Sequence, residues 1–358
     1  MKQTTQTYLS LPETFHPAST VSGKHPDSSM PRCYSDGRPY YSLNAWLKDQ
    51  FGQKIYKLAL DGGMTCPNRD GRIDTRGCIF CSAGGSGDFS GEALIGNSAS
   101  LLAGGIVTPQ HTKIPGIAAQ IEAEKALISR KYNGGQYIAY FQSYTNTYAP
   151  ADYLRQIFTE AIRHDDVRIL SIATRPDCIT PAIVTLLSEL NAIKPVWVEL
   201  GLQTIHESSA RYIRRGYSLS VFDDAMKMLS DAGIETIVHM ILGLPSESQE
   251  MMLQTADYIG HSGASGIKLQ LLHILSGTDL ARDYEEKLFT VMTEDEYLDC
   301  LGKILEILPP DMVIHRLTGD GAKKLLKAPL WSANKKQVMN RMNRYFKENN
   351  ICQGRLYQ

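Results

Sequence analysis

The chain has 358 residues, 43% of them hydrophobic and 21% charged, with 37 Lys+Arg against 38 Asp+Glu and a formal net charge of −1. That balance excludes a strongly polyanionic or polycationic protein, and a mean hydropathy of −0.22 with no apolar run of about 18 residues excludes a membrane-spanning helix. Seven cysteines are too few for a disulfide scaffold, and an odd number suits a secreted chain badly, so an intracellular, cytoplasmic protein is expected.

Residues 1–37 are rich in Ser, Thr and Pro and nearly neutral, with Lys2, Lys24 and Arg32 against Glu13, Asp27 and Asp36. They read as a flexible extension; an organelle transit peptide is the alternative, opposed by the single Arg and the acids. From Tyr40 onward the pattern turns to short β-type runs alternating with helical spacing. Strands are expected at 55–60, 137–141, 169–173, 196–200, 236–242 and 267–272, and helices at 117–132, 151–164, 181–191, 221–232, 247–260 and 294–308. Alternation of this kind implies parallel βαβ units, and the missing Gly-x-Gly-x-x-Gly turn after the first strand argues against a dinucleotide-binding sheet. The expected fold is α/β: a partial (β/α)6 barrel over 38–320, related to the eight-fold TIM barrel, with working residues at the C-terminal strand ends.

The segment 321–358 is expected as a basic α-helical extension. After Gly321 nine basic residues, among them Lys323, Lys324, Lys327, Arg341 and Arg355, face one acid, Glu348, a local excess of +8. Trp331, Tyr345, Phe346 and Tyr357 are interleaved with them. Such a tail suits phosphate binding and base stacking, or else is a solvated helix face.

The loop after the first strand runs Cys66-Pro-Asn-Arg-Asp-Gly-Arg-Ile-Asp-Thr-Arg-Gly-Cys78-Ile-Phe-Cys81. A structural zinc site would call for a fourth Cys or His nearby, and the next histidine is His111. Three thiolates suit a [4Fe–4S] cluster with one iron open to an exchangeable ligand. Zinc with a distant fourth ligand and unrelated core cysteines are the alternatives.

Cys66, Cys78 and Cys81 on a βα-barrel loop resemble the radical S-adenosylmethionine (SAM) superfamily. Further phrases are similar to the bacterial YhcC/YtqA-type proteins, relatives of the catalytic subunit of Elongator: Thr-Cys-Pro-Asn-Arg-Asp-Gly at 65–71, Ser-Gly-Asp-Phe at 86–89, Tyr-Phe-Gln-Ser-Tyr-Thr-Asn-Thr-Tyr at 140–148, Ala-Thr-Arg-Pro-Asp-Cys at 173–178, Glu-Leu-Gly-Leu-Gln-Thr at 199–204 and His-Arg-Leu-Thr-Gly-Asp at 315–320. The resemblance covers 38 to about 350. It implies that the open iron holds the amino and carboxylate groups of SAM, that Gln203 meets the SAM ribose and that Arg215 pairs with the SAM carboxylate. Where many relatives carry a ribose-binding Glu this chain has Ala173, so Arg175 or Glu199 is expected to supply a polar contact. Gln142-Ser143 replaces the Gly-Gly phrase that receives the SAM ammonium. His239 is either a satisfied barrel histidine or a neighbour of the adenine, and Phe80 either covers the cluster or packs in the core. Cys178, just past the third strand, is a candidate hydrogen-atom donor, with inert packing as its alternative.

The implied activity is reductive cleavage of SAM to a 5′-deoxyadenosyl radical. YtqA-type members are implied in tRNA wobble-uridine modification, turning a carboxymethylaminomethyl group into an aminomethyl group that a separate methyltransferase then methylates. The implied partners are tRNA, a flavodoxin- or ferredoxin-like electron donor and that methyltransferase, with no membrane. A radical SAM enzyme acting on a protein or small molecule is the alternative, and a non-enzymatic RNA-binding module with structural zinc is the third.

Overall fold

The structure, a computed structural model, describes residues 33–82, 116–129, 134–319, 321 and 323–358. The extension up to residue 32, the 86–89 phrase, the 130–132 end of the first expected helix and Asp320 lie outside the described residues.

In chain order the elements are α1 (Leu43–Phe51), β1 (Tyr56–Leu60), α2 (Ile117–Ser129), β2 (Tyr137–Phe141), α3 (Ala151–Arg163), β3 (Val167–Thr174), α4 (Pro181–Asn191), β4 (Val196–Gln203), α5 (Glu207–Tyr212), α6 (Leu219–Asp231) and β5 (Glu235–Leu242). They continue with α7 (Gln249–His261), β6 (Gly266–Leu271), β7 (Ile274–Leu275), α8 (Asp279–Glu285), α9 (Glu294–Ile307), β8 (Val313–Arg316), β9 (Leu326–Ala328) and α10 (Lys335–Glu348). The main sheet has the order β1-β2-β3-β4-β5-β6-β8, every neighbouring pair parallel, while β7 and β9 form a separate antiparallel ribbon. This is the expected partial barrel with one strand more than expected. β8 is four residues long and half polar, Val-Ile-His-Arg, so it offers no apolar run to read. None of the described helices is long and apolar enough to cross a membrane.

Side-chain alternation along the strands sorts the interior into levels. Leu58, Leu60, Leu170, Ile172, Val198, Leu200, Val238 and Met240 point outward into the main apolar cluster, which they share with the helices. The inward set begins at the N-terminal strand ends with Ile138, Ile169, Trp197 and Ile237, and α1 closes this end by adding Leu47, Leu43, Trp46 and Phe51. The Trp46 and Trp197 rings meet edge to face at 5.2 Å. Above this plug the inward positions turn polar, and above those the loops form a cavity. A third apolar cluster, with Ile79, Ile213, Leu244, Ile274, Leu280 and Ala328, packs the loops at the C-terminal strand ends.

The aromatic residues of the basic C-terminal segment are engaged within the fold. Val338, Met342 and Phe346 of α10 fall on one face and enter the main core, and the Phe346 ring lies edge to face with Tyr40 at 6.2 Å. The Trp331 Nε1–H donates to the Met292 carbonyl at 3.0 Å, with its ring against Tyr297. Tyr345 Oη donates to Asp299, and Tyr357 stacks on His261. Arg341 pairs with Glu294 and Asp295, Lys327 with Glu285, and Arg355 with Glu306. The sequence window counted only cations and aromatics; the acids that answer them sit on α8 and α9. Because Phe346 is 1% exposed, Phe346→Ala should lower unfolding free energy by about 3–5 kcal/mol in urea melts; a change under about 1 kcal/mol would show the helix to be peripheral.

Candidate active site

A cavity of about 750 Å³ opens at the C-terminal strand ends. It is within the size range of small-molecule and cofactor sites. Cys66, Cys78 and Cys81 border it together, as expected, and all three are free thiols. Their loop is pinned from several directions. The Arg69 guanidinium donates to the Ser82 carbonyl at 2.5 Å and the Cys81 carbonyl at 3.3 Å, tying the Cys66 arm to the close pair. The Ile79 N–H donates to the Ile213 carbonyl at 3.2 Å, and the Leu280 N–H donates to that of Ile79 at 3.1 Å. Asn68 Nδ2 donates to Cys78 Sγ at 3.5 Å and to the Arg214 carbonyl at 2.7 Å. A hydrogen bond from the Cys81 thiol, helped by the nearby Arg175 charge and by Asn68, lowers the Cys78 thiol below its ordinary range.

Three thiols gathered on the wall of one cavity fit a cluster with an open iron, and Cys66, Cys78 and Cys81 are the residues that would hold it.

Gln203 ends β4 at a kink. Its φ is 70°, a conformation uncommon for a residue with a Cβ, and the β4–β5 register slips between Gly201 and Gln203. The kink turns the side chain back over Gly201, where a Cβ would lie 2.9 Å from Gln203 Nε2. Gln203 Oε1 is buried without a hydrogen-bond partner and the residue borders the cavity. A strained residue holding an unsatisfied acceptor is suited to a ligand hydroxyl, such as that of a ribose.

The other expected residues are distributed differently. Gln142, Arg175, Glu199 and Arg215 all border the cavity, whereas Ser143 and Cys178 are not on its wall. Arg215 is 1% exposed. Its guanidinium donates to the carbonyls of Thr204 at 2.6 Å, Tyr217 at 3.1 Å and Leu202 at 3.3 Å, and to Glu207 at 3.2 Å, so within the chain it braces the β4 loop. Arg175 makes a two-point pair with Asp177 at 2.9 and 2.8 Å. Both guanidiniums lie against the Tyr217 ring, 5.0 and 4.8 Å from its centroid. Burial pushes the Cys178 thiol up to about 12 and keeps it protonated. Phe80 borders the cavity and also packs against the loop cluster.

Glu199 is the centre of the polar level. It is fully buried. Lys57 Nζ from β1 donates to it at 2.9 Å, Ser171 Oγ from β3 at 2.8 Å and His239 Nε2 from β5 at 2.8 Å, and Lys268 Nζ from β6 makes a further short contact. Lys268 also donates to Tyr140 Oη of β2 at 3.0 Å. The neighbouring cations hold the Glu199 carboxyl well below its usual range despite burial, and both of its oxygens are already engaged. His239 is thus the satisfied barrel histidine. The level also contains Lys57, Lys268 and Tyr140, which sequence reasoning did not single out; the signal was a lysine inside the apolar run Gly-Ile-Lys-Leu-Gln-Leu.

The fold and the thiol-bordered cavity define an iron–sulfur enzyme of the partial-barrel kind. Residues 72–259 match the family model described as the radical SAM superfamily, and residues 264–348 match the radical SAM C-terminal domain. The protein YtqA of Bacillus subtilis is 40% identical over 319 residues, 89% of this chain and 93% of that one. Protein YhcC of Escherichia coli is 33% identical over 306 residues, 85% and 91% of the two chains. The structure of the archaeal Methanocaldococcus infernus Elp3 superposes with a TM-score of 0.58 at 17% identity, over 66% of this chain and 60% of that one, which places the fold alongside it. The chain belongs to the radical SAM superfamily, whose cofactors are a [4Fe–4S] cluster and SAM.

Burial and the Lys268 charge push the His239 imidazole down from its ordinary 6.5 to about 4. Between those values the unfolded chain binds the proton and the folded chain does not, so stability falls as pH drops through this window. His239→Gln should therefore flatten the loss of urea midpoint from pH 7 to pH 5; an unchanged slope would place the titration elsewhere.

Proposed function

We propose that this radical SAM enzyme acts on tRNA, converting carboxymethylaminomethyl to aminomethyl at a wobble uridine. The observation that carries the reading is the charge of the cavity wall. Among its described residues, exposed Lys323 and Lys324 together with Arg69, Arg175, Arg215, Lys268 and Arg316 are cationic, while Glu199 alone is acidic. Asp177, Glu207 and Glu199 pair with Arg175, Arg215 and Lys268, so the excess of positive charge toward the opening is carried by Lys323, Lys324 and Arg69, which favours an anionic substrate. The exposed Lys323-Lys324 pair suits a phosphate backbone. The choice of a wobble uridine follows from the resemblance of the sequence motifs to the YhcC/YtqA-type family.

When bound, the cluster and SAM supply a 5′-deoxyadenosyl radical. The chain's own part is to hold and shield. Cys66, Cys78 and Cys81 are the cluster ligands, and Gln203 Oε1 is offered to a ribose hydroxyl. Gln142 supplies polar groups where relatives offer backbone. The apolar loop cluster with Phe80 limits water at the reacting end. The electron comes from a flavodoxin- or ferredoxin-like donor, and a methyltransferase takes the product.

A second reading, a small-molecule or peptide substrate, draws on one observation: the aromatic residues of the basic tail are engaged in packing rather than presented for base stacking. Mass-spectrometric nucleoside digests of tRNA decide between the two. Deleting the gene should accumulate carboxymethylaminomethyluridine and deplete the aminomethyl nucleoside and its methylated product; an unchanged nucleoside profile would refute the tRNA reading.

A further inference from the structure

Asn68 is 1% exposed and lies off the cavity wall, so it works within the chain rather than on a bound molecule. Its terminal nitrogen faces three acceptors: the Arg214 carbonyl at 2.7 Å, the Arg215 carbonyl at 3.4 Å and Cys78 Sγ at 3.5 Å. Carbonyls can only accept, so these two fix which end of the amide is nitrogen. The short bond to Arg214 takes one of its two hydrogens, which leaves the second for the sulfur and the more distant Arg215 carbonyl. The other end of the amide shows what this orientation gives up. Asn68 Oδ1 is buried without a hydrogen-bond partner among the described residues, over Gly216, where a Cβ would come within 2.8 Å of it. A buried amide that leaves its acceptor unsatisfied while aiming its donor calls for a reason beyond packing. The surrounding loops hold it there. Arg214 adopts a φ of 57°, uncommon for a residue with a Cβ, and so presents its carbonyl to Asn68 Nδ2 and, 3.8 Å away, to Cys78 Sγ. Its guanidinium is anchored on Asp279 at 2.5 Å, and the Asn68 carbonyl accepts from the Gly77 N–H at 2.7 Å, next to Cys78. Once Cys78 and Cys81 ligate iron neither sulfur carries a proton, and among the described side chains Asn68 Nδ2 is the N–H donor that remains on Cys78.

We propose that Asn68 is a positioning residue that tunes the reduction potential of the cluster through an N–H···S bond to Cys78. A hydrogen bond to a ligand sulfur withdraws electron density, stabilises the reduced cluster, which is the more negative of the two charge states, and so raises the potential. The loop after β4, which Arg215 braces, holds this donor in place, so the shape of that loop and the potential of the cluster are linked. The inference rests on the three thiols holding a [4Fe–4S] cluster and makes no use of the tRNA reading.

The test is a redox titration of the reconstituted holoenzyme without SAM or tRNA, in which dithionite adds one electron to the oxidised cluster and electron paramagnetic resonance follows the reduced form. Asn68→Leu keeps the approximate shape without the N–H. It should disfavour reduction by about threefold or more, a potential about 28 mV more negative for a one-electron couple. Far-UV circular dichroism and iron content check that the variant is folded and loaded. A second measurement needs no variant: wild-type protein made with asparagine carrying nitrogen-15 in its side-chain amide should show a nitrogen-15 coupling in the pulsed resonance spectrum of the reduced cluster. An unchanged or less negative potential in the loaded variant, or no such coupling in the wild type, overturns the proposal; if Asn68→Leu does not load, the coupling decides alone. Because neither measurement contains tRNA, the two claims separate: an Asn68-dependent potential alongside an unchanged tRNA nucleoside profile would keep this inference and refute the tRNA substrate.

Discussion

A carboxylate removed from water inside an apolar sheet is destabilising by several kcal/mol unless it is paired and hydrogen-bonded, and Glu199 sits in that position. Its two oxygens draw in Lys57, Ser171, His239 and Lys268, side chains from β1, β3, β5 and β6. Hydrogen bonds between strands join only neighbours. Through Lys57 and Lys268 this one group on β4 also reaches the non-adjacent strands β1 and β6, across the concave side of the sheet, and so opposes flattening of the partial barrel. An open curved sheet has no closing strand to fix its curvature, which makes such a tie across its interior consequential.

The rest of the site is stacked on that level. Below it, Trp197 and α1 seal the N-terminal strand ends with apolar rings. Above it, β4 kinks at Gly201 and Gln203, Arg215 braces the loop that follows, and the thiol loop is fastened by Arg69 and Asn68. Each fastening uses backbone carbonyls. The loop shape therefore depends on a few buried donors, which serve the positioning that an enzyme handling a reactive radical requires.

Six strands were legible because each is an apolar, β-branched run between polar stretches, and the thiol loop because three cysteines at that spacing have few other uses. β8 was not, since Val313–Arg316 carries no periodic signal and is recognised only through its pairing with β6. The role expected for Glu199 followed its strand position and that for Arg215 the family resemblance. Their partners come from distant strands or from carbonyls freed at a kink, which no local pattern records. The α10 packing face was visible, by contrast: Val338, Met342 and Phe346 recur every four residues, and attention to charge obscured that stripe. Lys268 was equally readable as a lysine in a buried parallel strand, where an unpaired charge is not tolerated.

The central claim is that Cys66, Cys78 and Cys81, on the wall of this cavity, make it a radical SAM centre. The most direct measurement is anaerobic reconstitution with iron and sulfide, metal analysis, and then incubation with SAM and dithionite. The account predicts about four irons per chain, as a [4Fe–4S] cluster requires, and release of 5′-deoxyadenosine that is lost when any one of the three cysteines is replaced by Ala. Stoichiometric zinc with no 5′-deoxyadenosine would contradict it.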